Sequence, residues 1–259
     1  MTEKFAIAFS TYKRPALMVE TLHALQMFTT SPRVVSIAID DASHADRVVI
    51  EESTPYKAEA NIELISMQDR CGIARTKNVA LRSILERSTT EHIIVMEDDV
   101  RPVKFGWEDV LIETARVNEQ KHLLYLPSRG IYGPVIKTEG QMHRSIQWKP
   151  MCSGLIMYFT RGLLENIGLF EERFPAPYGW EHNEMTARAL VAQSIEPKFY
   201  PHCFELERGE FICSDDERRD RKTSPQQAAV NADMARRNRP LYDELYTQHM
   251  EKWRSGITV

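Results

Sequence analysis

Ile93-Ile94-Val95-Met96-Glu97-Asp98-Asp99-Val100 is an apolar run fit for a buried strand that ends abruptly in three consecutive carboxylates. The run is short, rich in β-branched residues and closely followed by Pro102, so it reads as a central strand of a parallel sheet covered on both faces. Three negative charges side by side repel one another unless a cation neutralises them. In open α/β sheets the ligand crevice lies beyond the carboxyl ends of the strands, which is where the triplet falls. Hard oxygen donors suit Mg2+ or Mn2+ rather than a soft metal. The plain alternative is an exposed acidic loop, or carboxylates facing the start of a following helix.

Upstream of the triplet, short apolar runs alternate with helix-like segments. Phe5-Ala6-Ile7-Ala8-Phe9 reads as a strand, followed by a helix from about Pro15 to Phe28 with Leu17, Thr21, Leu22, Leu25 and Phe28 on one face. A strand from Val34 to Ile39 ends at Asp40-Asp41. A helix around His44 to Glu52, a strand from Ile62 to Met67 and a helix from Ile73 to Glu86 complete the series. Repeated strand-helix order predicts a doubly wound α/β sheet with right-handed crossovers.

Three of the four strand ends carry groups that a nucleotide needs. Ser10-Thr11-Tyr12-Lys13-Arg14-Pro15 offers hydroxyls, an aromatic face, positive charge and a rigid helix start. Asp40 and Asp41 can accept hydrogen bonds from a base or a ribose, and the segment from Arg70 to Asn78 offers guanidinium groups to phosphates. Singly, each has a bland reading: Asp-Asp-Ala-Ser as a turn, Arg75 and Lys77 as a solvated helix face. Their recurrence at successive strand ends favours the functional one. No Gly-x-Gly-x-x-Gly follows the first strand and no Gly-x-x-x-x-Gly-Lys-Ser/Thr is present, which argues against a dinucleotide dehydrogenase and a P-loop NTPase.

Bulk properties permit this reading. The chain has 259 residues, 33 Lys and Arg against 37 Asp and Glu, and a formal net charge of −4, which makes no general case for nucleic acid or membrane binding. Cys71, Cys152, Cys203 and Cys213 lack paired metal-ligand spacing, and the amino terminus lacks a secretory pattern, so reduced thiols in a cytoplasmic protein are expected. No apolar stretch approaches the ~20 residues that cross a bilayer.

The order of motifs resembles the GT-A nucleotide-sugar glycosyltransferases, especially the broad family 2-like group. Phe9-Ser10-Thr11-Tyr12-Lys13-Arg14-Pro15 is similar to that group's Pro-Thr-Tyr-Asn-Arg-Pro, with Ser10 and Lys13 as departures. Ile39-Asp40-Asp41-Ala42-Ser43 is similar to Val-Asp-Asp-Gly-Ser, and Gly72-Ile73-Ala74-Arg75-Thr76-Lys77-Asn78 to the glycine-to-Ala-Arg-Asn segment, with Lys77 where arginine is usual. The triplet resembles the Asp-x-Asp element in its Glu-Asp-Asp form. The likeness runs from about residue 5 to 205, roughly four-fifths of the chain. It implies a GT-A (Rossmann-like) sandwich around a mostly parallel twisted sheet. By the same resemblance Thr11, Tyr12, Asp40 and Asp41 would hold the nucleoside, and Arg14 and Arg75 would lie near the diphosphate. Glu97 and Asp98 would contact sugar or ribose, and Asp99 would bind Mn2+ or Mg2+.

Further along, Met151-Cys152-Ser153-Gly154-Leu155-Ile156-Met157-Tyr158-Phe159-Thr160-Arg161 reads as a strand opened by a glycine, with a helix over 162–168. Tyr178-Gly179-Trp180-Glu181-His182-Asn183-Glu184 is similar to the acceptor-side Glu-Asp or Glu-Asn motif of GT-A enzymes, with His182 departing at its second position. Glu181 is assigned as general base, because inverting transfer needs a carboxylate to take the acceptor's proton; Glu184 is the alternative, and a helix start that favours both charges is the plain reading. Trp180 either packs against a sugar ring or is a buried aromatic. His202, in Phe199-Tyr200-Pro201-His202-Cys203-Phe204, stands where the resemblance implies a late histidine ligand for the Asp99 metal, a hydrogen-bonded core histidine being the plainer reading. Ser214-Asp215-Asp216-Glu217-Arg218-Arg219-Asp220-Arg221-Lys222 is a mixed charge run expected to be a solvated loop, and Gln226 to Trp253 is helix-prone with a break near Pro240. This tail would either close over the donor and hold the acceptor or form a surface appendage.

The expected organisation is a catalytic domain over 1–205, divided into a nucleotide-sugar half (1–100) and an acceptor half (101–205), with a charged loop and helical extension over 206–259. The expected function is metal-dependent, inverting transfer of a sugar from a nucleoside diphosphate donor, a UDP-sugar first, to a hydroxyl on a glycan, lipid-linked sugar, protein or modified DNA base. The competing readings are a nucleotidyltransferase, which would carry a glycine-rich basic loop near its amino terminus, and a non-catalytic glycan-binding module, against which Asp99 and Glu181 argue.

Overall fold

The computed structural model describes residues 4–31, 33–40, 44–53, 61–125, 134–141, 143–174, 179–208, 211–214 and 225–256. The first apolar run forms β1 (Phe5–Tyr12), buried along its length as far as Tyr12, as a strand covered on both faces must be. Helix α1 (Pro15–Phe28) starts on a proline, whose fixed φ suits a first helical turn, and buries Leu17, Met18, Thr21, Leu22 and Leu25. Phe28, the last residue expected on that face, lies at its margin and meets Phe105 edge-on. The unit repeats through β2 (Arg33–Asp40), α2 (His44–Ser53), β3 (Asn61–Ser66), α3 (Ile73–Arg87) and β4 (His92–Glu97).

β1 pairs in parallel with β2 and β4, and β2 in parallel with β3. The register sets Tyr12 beside Asp40 and Ser10 beside Glu97, so the polar ends of three strands finish side by side. This half of the sheet is the parallel arrangement that the strand-helix alternation predicts.

Beyond the triplet come β5 (Val100–Pro102), α4 (Trp107–Val117), β6 (His122–Tyr125), the hairpin β7 (Lys137–Gln141) and β8 (Arg144–Lys149), β9 (Ile156–Thr160) and α5 (Arg161–Ile167). They are followed by α6 (Glu181–Ala192), β10 (Tyr200–Cys203), α7 (Phe204–Arg208), β11 (Ile212–Ser214) and α8 (Pro225–Ser255). β9 inserts antiparallel between β4 and β6, and β10 runs parallel to β6 and antiparallel to β8. The nine-stranded order is β3-β2-β1-β4-β9-β6-β10-β8-β7, with β5 and β11 paired separately. Trp107 anchors the core, edge-on to Phe5 at 6.0 Å between ring centroids, while its Nε1–H donates to the Thr29 hydroxyl at 2.9 Å.

One feature departs from expectation. Helix α8 does not break at Pro240, which lies inside one continuous helix. An interior proline costs a helix ~3 kcal/mol, and docking holds the two halves in line: Asn238, Tyr242, Leu245 and His249 are buried on either side of it, while Pro240 itself is exposed. The charged run predicted as a loop falls, apart from Ser214, outside the described residues. Among the described residues no helix is long and apolar enough to cross a membrane.

Asn78, buried in α3, ties this helix to the segment after α5. Its Nδ2 donates to the Phe170 carbonyl at 2.9 Å and to Glu172 Oε1 at 2.7 Å, and its Oδ1 accepts from the Phe170 N–H at 2.8 Å. Asn78→Ala strands both backbone groups of Phe170, and urea unfolding is expected to show a loss on the order of 2–3 kcal/mol. A change under ~0.5 kcal/mol would show that the clamp contributes nothing.

Candidate active site

The triplet is neutralised by two cations of the protein itself. Arg14, delivered by the turn between β1 and α1, places Nη2 2.7 Å from Asp98 Oδ1 and Nη1 3.2 Å from Asp99 Oδ2. Lys77, on the inner face of α3, places Nζ 2.7 Å from Glu97 Oε1. Asp98 is fully enclosed: its Oδ2 accepts from the Thr11 hydroxyl and its carbonyl from the Thr21 hydroxyl, both at 2.6 Å. Burial pushes the Asp98 carboxyl up to about 7, with Arg14 and the Thr11 hydroxyl pulling against it. Asp98 and Thr11 thus bind each other at the floor of the site, whereas the resemblance had them touching donor hydroxyls. Asp99 keeps 21% of its side chain exposed, which makes it the more accessible hard-oxygen donor.

Lys77 also reaches towards α6. Its Nζ is 3.8 Å from Glu181 Oε1, so one buried ammonium joins the triplet to the first residue of α6. Glu181 is buried, with Oε2 accepting from the Gly179 N–H at 3.0 Å and Oε1 3.3 Å from His182 Nδ1. Burial alone would raise its carboxyl, but the hydrogen bond and charge of His182, with Lys77 and the backbone, hold it down at about 2. Glu184, the alternative base, is fully engaged: Arg188 donates to it at 3.0 and 2.8 Å, and His249 Nε2 lies 3.0 Å from Oε1. It fastens α8 to α6.

Other expected residues divide clearly. Asp40 accepts from the Cys71 N–H at 2.7 Å and the Gly72 N–H at 3.1 Å. Both its oxygens therefore pin the start of α3, where Gly72 takes a left-handed φ of 84°, and Asp40 shapes the site from behind. Asp41 lies outside the described residues. Tyr12 carries the guanidinium of Arg70 over its ring at 4.7 Å and the ammonium of Lys13 at 5.2 Å; Arg75 is exposed. His202 is buried in β10 with Nε2 2.9 Å from the Met151 carbonyl, and burial lowers its imidazole to about 3. Among the described residues no group of three or more His, Cys, Asp or Glu is placed to hold a metal, and the bond to Met151 gives His202 the surroundings of a core histidine.

No protein-family model matches the sequence, and no curated protein does. Solved structures do. The crystal structure of S. aureus TarS 1-349 aligns with 73% of this chain and 55% of its own, at 16% identity and a TM-score of 0.56. The mannosyltransferase PcManGT from Pyrobaculum calidifontis, solved with GDP-Man and Mn2+, aligns with 74% of this chain and 53% of its own, at 14% identity and a TM-score of 0.54. GalNAc-T7, solved with UDP, GalNAc and Mn2+, covers 77% and 43%, at 9% identity and a TM-score of 0.56. This chain has the GT-A glycosyltransferase fold. At these identities the likeness is one of fold, and the chain spans about half the length of the structures it matches.

In this GT-A chain α8 is neither a free appendage nor a separate lobe, because it builds the turn that enters α6. Gly179 and Trp180 take left-handed φ values of 103° and 73°, uncommon for tryptophan. Trp180 is held there by stacking on Tyr242 at 4.6 Å between centroids and by its Nε1–H donating to the Ala235 carbonyl at 2.9 Å. The Arg239 guanidinium lies 4.7 Å from the indole centroid, and Asn238 Nδ2 donates to the Gly179 carbonyl. Trp180 thus packs against protein, the plainer of its two readings.

Lys77, read from sequence as a solvated helix face and a departure from the usual arginine, and His182, noted only as a departure, are the residues that sequence reasoning undervalued. Lys77 is in helical phase with Ala80, Leu81 and Ile84, all buried, and that phase was a usable signal. The depressed Glu181 carboxyl has a consequence for stability. A folded-state value of about 2 against an ordinary 4.5 means stabilisation that is present above pH ~4.5 and lost as pH falls towards ~2. Glu181→Gln is expected to lose about 3 kcal/mol at pH 6, with the deficit shrinking on acidification across that window. Urea unfolding of the two proteins from pH 6 to 2 measures this; a pH-independent difference would contradict it.

Proposed function

We propose that this protein is a glycosyltransferase that moves a sugar from a nucleoside diphosphate donor, a UDP-sugar first, to an acceptor hydroxyl with inversion at the anomeric carbon. The observation that supports it most is the convergence of Thr11 from β1, Arg14 from the turn after it, the Glu97-Asp98-Asp99 triplet at the end of β4, Lys77 from α3 and Glu181 from α6 in one set of hydrogen bonds and ionic contacts. Such cations suit a diphosphate, and the second cluster, around Glu181, suits an acceptor hydroxyl. Tyr12 gives an aromatic face to the base, and Arg14 and Arg75 serve the diphosphate.

Asp99 fits a small divalent cation, Mn2+ or Mg2+: it is a hard-oxygen donor, partly exposed, with Asp98 fixed behind it, and such ions take remaining ligands from phosphates and water. A cation held there, when bound, offsets the charge that develops on the departing diphosphate. Arg14 spans both carboxylates, so it neutralises them beforehand and stands ready to swing to the phosphates. Transfer forms a bond from the acceptor oxygen to the anomeric carbon and breaks that carbon's bond to the diphosphate oxygen, which leaves with the electron pair; the acceptor proton must pass to a base. TarS was solved with UDP-GlcNAc, and PcManGT and GalNAc-T7 with Mn2+, which supports the donor class and the metal.

The test is thermal unfolding with UDP-GlcNAc, UDP-glucose and GDP-mannose, each with and without Mn2+. A nucleotide-sugar at ~100 times its Kd stabilises the native state by about 2.7 kcal/mol, a rise in Tm of several degrees. Asp99→Ala is expected to lose the Mn2+-dependent part of that rise. No protection by any of the three would refute the donor assignment, and undiminished Mn2+ dependence in Asp99→Ala would move the metal elsewhere.

A further inference from the structure

We propose that the acceptor proton is taken by His182, with Glu181 acting as the positioning carboxylate that orients its imidazole. This rests on the glycosyl-transfer reading above and revises the assignment of Glu181 as base. Glu181 is 3% exposed and both its oxygens are in use, Oε2 by the Gly179 N–H and Oε1 by His182 and Lys77. A general base must come within hydrogen-bond reach of the proton it abstracts, and a buried, doubly engaged carboxylate does not present a lone pair to an incoming hydroxyl. The same partners that hold its carboxyl at about 2 also make it a weak base.

His182 has what Glu181 lacks. Its side chain is 21% exposed, and Nδ1 lies 3.3 Å from Glu181 Oε1, so Nδ1–H donates to the carboxylate and the lone pair sits on Nε2. No described residue engages Nε2. A carboxylate behind an imidazole sets the tautomer and stabilises the imidazolium that forms when the ring takes a proton. The ring also packs closely on Gly154: a Cβ there would lie 3.2 Å from His182 Cγ and 3.3 Å from Nδ1, tight enough that the ring or the backbone would have to give by a few tenths of an ångström.

His182 is joined to the donor-side triplet by three contacts, from Glu97 to Lys77, Lys77 to Glu181 and Glu181 to Nδ1, none longer than 3.8 Å. Among charged or titratable groups, Glu181 meets it from its own helix, Lys77 of α3 lies behind that carboxylate, and Cys152 Sγ is 3.6 Å from the His182 carbonyl. In the step itself the acceptor O–H proton moves to Nε2 as the oxygen bonds to the anomeric carbon. The nucleoside diphosphate leaves with the electron pair of the broken bond, and the imidazolium, paired with Glu181, later returns its proton to solvent.

The test uses the full chain with UDP-GlcNAc, UDP-glucose and GDP-mannose, following nucleoside diphosphate release with water as acceptor. His182→Gln is expected to lose 10²–10⁴-fold in kcat while keeping the thermal protection given by the nucleotide-sugar. His182→Asp should recover part of the rate, with the acid limb of the pH profile moved to lower pH, since a carboxylic acid is a stronger acid than an imidazolium. Near wild-type release by His182→Gln would overturn the proposal, as would an acid limb that stays put in His182→Asp. A second readout needs no turnover: ¹⁵N NMR of histidine-labelled, ligand-free protein should show His182 as the Nδ1–H tautomer, and an Nε2–H tautomer would overturn the dyad. Failure of the glycosyl-transfer reading shows instead as absent protection by every nucleotide-sugar with the tautomer intact.

Discussion

Mutual repulsion among Glu97, Asp98 and Asp99, set at the end of a strand that is otherwise wholly apolar, is the constraint around which the site is organised. Two cations from different elements meet the three carboxylates: Lys77 from α3 on Glu97, and Arg14 from the turn after β1 on both aspartates. Fixing those two cations fixes the helices that carry them. α1 is oriented by Thr21 on the Asp98 carbonyl as well as by its apolar face, and α3 by Asp40 holding the N–H groups of Cys71 and Gly72. Breaking one partner of a buried ion pair costs more than the pair contributes, so the triplet requires the parallel half of the sheet to close correctly around it.

Lys77 extends this logic past the donor side. One ammonium at the meeting point of Glu97 and Glu181 makes the electrostatics of the two halves interdependent, because a change of charge on either carboxylate alters the field felt by the other. An arginine at this position would reach further and fork between partners; lysine makes a compact point of charge that fits a nearly closed space beside Phe170.

The strands and helices from β1 to β4 were legible because their apolar periods are clean. Helix α1 begins and ends at the expected Pro15 and Phe28, and the triplet sits at the carboxyl end of its strand. Less was legible beyond residue 100, where β6, β10 and the β7–β8 hairpin are four to six residues long and too brief for a period to show. The hold of Asp40 on the start of α3 was not legible because a carboxylate that caps backbone N–H groups and one that awaits a ligand look alike in sequence. Pro240 was read as a break because the cost of a proline is local, while the contacts that offset it come from α6, far away in the chain. His202 was assigned by resemblance, while its own apolar surroundings pointed to the buried place it takes in β10.

The turn at Gly179 and Trp180 has a bearing on how the protein comes into being. Thr11, Arg14, Lys77 and the triplet all lie within the first 99 residues, whereas the strained turn that aims Glu181 and His182 is held by the Ala235 carbonyl, Asn238 and Tyr242, 55 or more positions later in the chain. A ribosome delivers those groups after the ones they support. The nascent polypeptide therefore carries the triplet and both of its cations before the groups that hold the Gly179–Trp180 turn have been made. The order of residues along the chain thus sets the charged cluster down first and its connection to α6 afterwards.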